Sequence, residues 1–154
     1  MNEIQNHVDR LLNSNISNYT KFSEGCSRKV FFYDNFVIKV PKIGLSGVKQ
    51  NKIEKYIWDD THNPLLNEVY IEYRNCIACK KLENNPDILM DLMGVYSTKQ
   101  FEINLMQIYG NDIFPIIKKY NLEEIEIFKI DNWGYDYEFN SFKCLDYGYL
   151  NWRK

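Results

Sequence analysis

The sequence is sparing with the residues that punctuate a chain or bind metals. Of 154 residues, 4 are Pro, 7 Gly, 4 Cys and 2 His. So little Pro and Gly excludes collagen-like and low-complexity chains. No apolar run approaches the roughly 20 residues that a membrane-spanning helix needs, so no membrane partner is expected. Neither sign of charge is in excess, with 19 Lys+Arg against 21 Asp+Glu, a net −2 and a pI of about 5.7. Wholesale wrapping of nucleic acid wants a clustered positive excess, and that balance argues against it.

What is present is enough to fill a core. Hydrophobic residues make up 45% and charged residues 26% of an 18.5 kDa chain, which excludes disorder and predicts one compact domain over residues 1–154. Aromatics reach 16%, with 12 Tyr and 9 Phe. Together with abundant Asn, Ile and Lys, that richness looks like the coding bias of an AT-rich genome and carries little functional weight. The opening MNEIQNHVDRLL is amphipathic and includes acidic residues, so it does not read as a signal peptide. Four Cys without a secretion signal read as reduced thiols in a cytoplasmic protein. Cys76-Ile77-Ala78-Cys79 has the spacing of half a zinc site, but the only His residues are His7 and His62. Two small residues in a buried strand fit better, and no zinc is expected.

Ile4, Val8, Leu11 and Leu12 recur at helical spacing and predict a first helix. Tyr19 to Phe22 is strand-like and leads into a turn cluster, Ser23-Glu24-Gly25-Cys26-Ser27. Two β-rich runs, Lys29–Tyr33 and Phe36–Val40, flank Asp34-Asn35 and predict a hairpin ended by Pro41. A helix follows over about 48–59, with Ser46 as N-cap and Ile53, Tyr56 and Ile57 on its apolar face. Val69–Tyr73 and Cys76–Leu82 form a second hairpin about Arg74-Asn75. From Pro86 to about Tyr120 the pattern is helical, with breaks expected near Gly94 and at Gly110-Asn111. Leu89, Leu92 and Met93, then Phe101, Leu105 and Ile108, then Ile113, Ile116 and Ile117 supply its buried stripes. Trp133–Tyr137 and Phe142–Leu145 close the chain as a third hairpin. The fold class is therefore α+β.

This order, with particular residues in it, resembles the protein-kinase-like fold in its small, atypical and phage-associated members. Gly25-Cys26-Ser27-Arg28-Lys29-Val30 stands where a kinase has its glycine-rich loop. Val37-Ile38-Lys39-Val40 looks like the V-A-I-K strand, with Lys39 as the phosphate-holding lysine. Glu54 stands where the family's ion-pairing helix glutamate sits. Asp131-Asn132-Trp133-Gly134 and Leu145-Asp146-Tyr147-Gly148 look like the catalytic-loop asparagine and a D-F-G variant. The resemblance implies a kinase-like N-lobe sheet with one packed helix (19–83) and a reduced helical part with a closing hairpin (86–154). It implies Gly25, Lys39, Glu54, Asn132 and Asp146 as cofactor-binding residues for ATP, with Asn132 and Asp146 as ligands of Mg²⁺. Taken singly, Lys39 also reads as a solvated edge-strand lysine, Asp146 as a turn residue and Glu54 as a surface carboxylate.

The departures point away from catalysis. One glycine remains of the loop's usual three. The family's catalytic-base aspartate falls five residues before the asparagine, and that position is Ile127. No H-R-D is present, and the sequence ends six residues after Gly148, so no activation segment or substrate-binding subdomain is expected. No catalytic residue is assigned. The expectation is a catalytically deficient, pseudokinase-like protein-binding module, with a phage-encoded, anti-CRISPR-type inhibitor of host defence as the setting its composition suggests. The alternative is a minimal Mg–ATP-binding phosphotransferase or nucleotide sensor. Tyr135, Tyr137, Phe139, Tyr147, Tyr149 and Trp152 cluster late in the chain and are of the types that anchor interfaces. They are the candidate partner-binding surface, though half of them read equally well as core. Trp152-Arg153-Lys154 has the makings of a basic-aromatic nucleic-acid contact, but such a terminus more often packs its Trp on the core.

Overall fold

Arg74 and Asn75 both have positive φ, 51° and 65°. That is the backbone a two-residue hairpin turn with the right twist demands. In the computed structural model they join β4 (Val69–Tyr73) to β5 (Cys76–Lys80). The structure describes residues 2–13 and 22–148, without the Asn2 side chain. The expected strand at Tyr19 to Phe22 falls largely outside them, and β1 is Phe22–Glu24. β2 (Arg28–Phe32) and β3 (Phe36–Pro41) pair about Asp34-Asn35 as the sequence predicts. The fold is α+β, and the chain divides into two compact units, residues 1–60 with 68–81 and residues 61–67 with 82–154.

The first unit is a five-stranded antiparallel sheet in the order β1-β2-β3-β5-β4. Because strand side chains alternate between faces, Phe31, Ile38, Val40, Cys76 and Ala78 gather on one side. There they bury Val8 and Leu11 of α1 (Asn2–Asn13). Asp9 fastens α1 to the β4–β5 turn, accepting from Arg74 Nη1 at 2.8 Å and from the Tyr73 hydroxyl at 3.1 Å. The helix α2 (Ser46–Thr61) belongs to the other face. At the outer edge, the β4 register shifts between Val69 and Ile71, so Tyr70 is an extra, exposed residue opposite β5.

In the second unit, α3 (Pro86–Met93) starts with Asn85 accepting from the Asp87 N–H and stops at Gly94, φ 80°. α4 (Thr98–Tyr120) starts on Ser97, which accepts from the Gln100 N–H, and stops at Asn121, φ 54°. A short helix, α5 (Glu124–Ile127), and a 3₁₀ turn (Ile130–Asn132) lead to the hairpin of β6 (Trp133–Asp136) and β7 (Ser141–Cys144). No described helix is long and apolar enough to cross a membrane.

Three expectations need correction. α4 runs unbroken through Gly110, where a Cβ would come within 3.0 Å of the Phe114 ring. That glycine makes room for a neighbour; it does not end the helix. Leu92 and Ile108 are exposed, because the buried residue of α3 is Leu89 and the α4 stripe runs Phe101, Leu105, Ile113, Ile116 and Ile117. On α2 the buried face is Gly47, Gln50, Asn51, Glu54 and Ile57, while Tyr56 is 63% exposed.

None of the four cysteines is in a disulfide, with Cys26 exposed and Cys76, Cys79 and Cys144 buried. Cys76 and Cys79 are three apart on one strand, so they point to opposite faces and do not converge on one ion. Burial pushes the Cys76 thiol up to about 11 from 9.0. A raised thiol pKa favours the neutral form in the fold, so its stabilising share is whole below pH 9 and is lost as pH rises through about 11. Native protein treated with a maleimide at pH 7.5 is expected to take one label quickly, at Cys26. The other three should react only at the rate of unfolding, and fast labelling of Cys76 would refute the burial.

Candidate functional site

β3 lies between β2 and β5, so a lysine on it is not on an edge. Ile38 and Val40 take one face of the sheet, and Lys39 between them takes the other. Lys39 is 3% exposed and its Nζ donates to Glu54 Oε1 at 2.7 Å. The solvated edge-strand lysine is thereby excluded, and so is Glu54 as a surface helix carboxylate, since Glu54 is fully buried. Buried charges of this kind persist only when paired and hydrogen-bonded.

The chain around the pair explains how α2 reaches it. A Cβ on Gly47 would lie 2.4 Å from the Ser27 carbonyl oxygen and 2.9 Å from the Pro41 Cβ. Only glycine lets the first turn of α2 press so closely on the ends of β2 and β3. Three polar contacts then fix the helix. The Ser27 hydroxyl donates to Gln50 Oε1 at 2.6 Å, and Asn51 Nδ2 donates to the carbonyls of Lys39 at 3.1 Å and Asn75 at 2.8 Å. Arg28 Nη1 donates to Asn51 Oδ1 at 2.9 Å and to Glu54 Oε2. Arg28 is the residue that sequence reasoning missed. Its place at the turn hid it among loop residues, and the available signal was its alternation with Val30 onto the Lys39 face.

Gly25 sits in the turn between β1 and β2, its N–H donating to the Arg28 carbonyl at 2.9 Å. A Cβ there would meet that same oxygen at an ordinary 3.7 Å. The fold itself does not require a glycine at this position.

In the second unit, Asn132 and Asp146 stand at the open end of the β6–β7 hairpin. Trp133 pairs with Cys144, and the Leu145 N–H donates to the Asn132 carbonyl at 2.6 Å, so the two candidates occupy neighbouring rungs. Asn132 is buried and its Nδ2 donates to the Glu126 carbonyl, so Oδ1 is the atom it could offer a ligand. Among the described residues no group of three or more His, Cys, Asp or Glu is placed to hold a metal. An amide oxygen and a carboxylate are hard donors. They are the donor types that Mg²⁺ takes, and two of them fall short of an all-protein cage. Ile127, at the expected base position, is buried, and its carbonyl accepts from Trp133 Nε1 at 2.6 Å.

The aromatic candidates separate. Tyr137 and Phe139 are 59% and 61% exposed. Tyr135 is half-buried, edge-on to Tyr137 at 5.2 Å and to Phe142 at 5.0 Å. Tyr147 was expected in the exposed group and is buried, its hydroxyl donating to the Asn67 carbonyl at 2.8 Å. Tyr149 and Trp152 lie outside the described residues. The chain matches no protein-family model, and no curated protein matches it.

Proposed function

We propose that this is a catalytically deficient kinase-like protein that works as a protein-binding module. The observation that carries the proposal is the buried Lys39–Glu54 ion pair. A kinase-like site requires it, and a lysine placed on a strand for solubility does not produce it. Ile127 supports the loss of turnover, because an aliphatic side chain cannot take a proton from an acceptor hydroxyl. Tyr137 and Phe139 at the hairpin supply the exposed aromatic area that interface anchors use. A host defence component is the partner that the phage-like composition suggests.

Radiolabelled ATP incubated with generic acceptors and Mg²⁺ or Mn²⁺ should give no transfer above an Asp146→Ala control. Capture of a partner should fall when Tyr137 and Phe139 are both changed to Ser. Transfer in the first experiment, or unchanged capture in the second, would sink the proposal.

A second reading, a nucleotide holder or sensor, is favoured by the same lysine, held by a carboxylate on the sheet face. Mg–ATP at a hundred times its dissociation constant would raise stability by about 2.7 kcal/mol. Gly25→Ala separates the phosphate contact from folding, because the turn has room for the added methyl. It should leave the ligand-free melting temperature unchanged and shrink the Mg–ATP shift. An undiminished shift would remove Gly25 from the site.

A further inference from the structure

Glu54 carries two cations. Its Oε1 accepts from Lys39 Nζ at 2.7 Å, and its Oε2 accepts from Arg28 Nη1. Lys39, Arg28, Glu54 and Asn51 are all buried. We infer that Arg28 is the positioning residue of this site, holding Glu54 in place so that Lys39, while still paired with the carboxylate, can also donate to an oxygen of a phosphate-bearing anion. The inference rests on the nucleotide-holding reading of Lys39.

With one cation, sharing it with an anion would be costly. Lys39 drawn toward a phosphate would leave a buried carboxylate undercompensated, and weakening one side of a buried pair is strongly destabilising. With Arg28 on the second oxygen, the carboxylate stays compensated throughout. The two cations also differ in the way this division of labour needs. Arginine is planar, permanently charged and able to donate in several directions at once, so it suits a fixed clamp. Lysine is a compact charge with three donors on a flexible four-carbon stem, so it suits the group that reaches the ligand.

The anchoring around each agrees with those roles. Arg28 opens β2 opposite Pro41 of β3, and its guanidinium is also held by Asn51 Oδ1 at 2.9 Å. Asn51 is itself pinned by two backbone carbonyls, those of Lys39 and Asn75. The clamp is therefore tied to the main chain of β3 and of the β4–β5 turn. The ligand class is a polyphosphate anion, as a nucleotide or as free triphosphate.

The experiment is a cycle of Lys39→Met, Arg28→Met, the double variant, and the double variant with Glu54→Gln. Each is read by melting temperature and by calorimetric titration with Mg–ATP and with inorganic triphosphate. Lys39→Met should melt close to the parent, because Arg28 still compensates Glu54. The double variant should lose more than the sum of the single losses, and Glu54→Gln should recover part of that loss. Lys39→Met should abolish Mg–ATP binding, Arg28→Met should weaken it about tenfold, a change of about 1.4 kcal/mol, and Arg28→Lys should restore most of it. Triphosphate binding as tight as Mg–ATP assigns the site to phosphate alone; tighter Mg–ATP binding assigns it to a nucleotide. Additive melting losses overturn the inference, as does parent affinity in Arg28→Met. Should Arg28→Met fail to fold, Arg28→Gln takes its place with the same expected weakening. If the parent binds neither probe, the nucleotide reading falls and the phosphate contact of Lys39 with it, while the melting cycle still decides by itself whether Arg28 holds Glu54.

Discussion

Glu54→Ala is expected to lower folding stability by about 3–5 kcal/mol, the range for breaking a buried ion pair from one side. The loss exceeds that of an ordinary helix substitution because one carboxylate serves both Lys39 and Arg28. Removing it leaves two buried cations without the acceptor they share. Urea denaturation followed by circular dichroism measures the loss, and Glu54→Gln should retain part of it through its amide oxygen. A loss below about 1 kcal/mol, the usual limit for a solvent-exposed pair, would mean that the charges are hydrated and the site is not assembled as described.

Trp133→Ala is expected to cost about 3–5 kcal/mol, as for other buried large-to-small changes. Trp133 is fully buried, stacks on Tyr109 at 5.8 Å and donates from Nε1 to the Ile127 carbonyl at 2.6 Å. Trp133→Phe should cost less, since it keeps most of the packing and loses the hydrogen bond, worth about 1 kcal/mol. The difference between the two variants therefore separates volume from polarity. Equal costs for both would show that the indole N–H, and not the ring volume, holds α5 to the hairpin.

The hairpins were legible because their signals are local. Asp34-Asn35 and Arg74-Asn75 sit between alternating strands, and turn residues report backbone angles directly. The caps of α3 were equally plain, since Asn85, Pro86 and Gly94 each have one natural place in a helix. The orientation of α2 was not legible. Hydrophobic periodicity put Ile53, Tyr56 and Ile57 inward, but that helix turns Gln50, Asn51 and Glu54 to the sheet. Polar burial depends on partners far away in sequence, here Ser27, Arg28 and Lys39, and no local pattern encodes them. The resemblance to a kinase was the one source that placed Glu54 against Lys39, and it gave no hint of Arg28. Tyr147 illustrates the converse limit. Its hydroxyl finds the Asn67 carbonyl, 80 residues away, so a side chain suited to an interface is consumed inside.

The irregular pairing at Tyr70 bears on how copies of this protein behave at high concentration. An outermost strand with a free row of N–H and C=O groups is a template on which another chain can lengthen the sheet. β4 is outermost in its sheet, but the extra residue between Val69 and Ile71 breaks its hydrogen-bonding rhythm and bends it. Glu72 and Arg74 add charges of both signs along the same stretch, held by Lys52 at 3.0 Å and Asp9 at 2.8 Å. A second β4 laid alongside would meet mismatched donors and acceptors and would have to displace ion pairs. The register shift therefore makes β4 a poor template for lengthening the sheet.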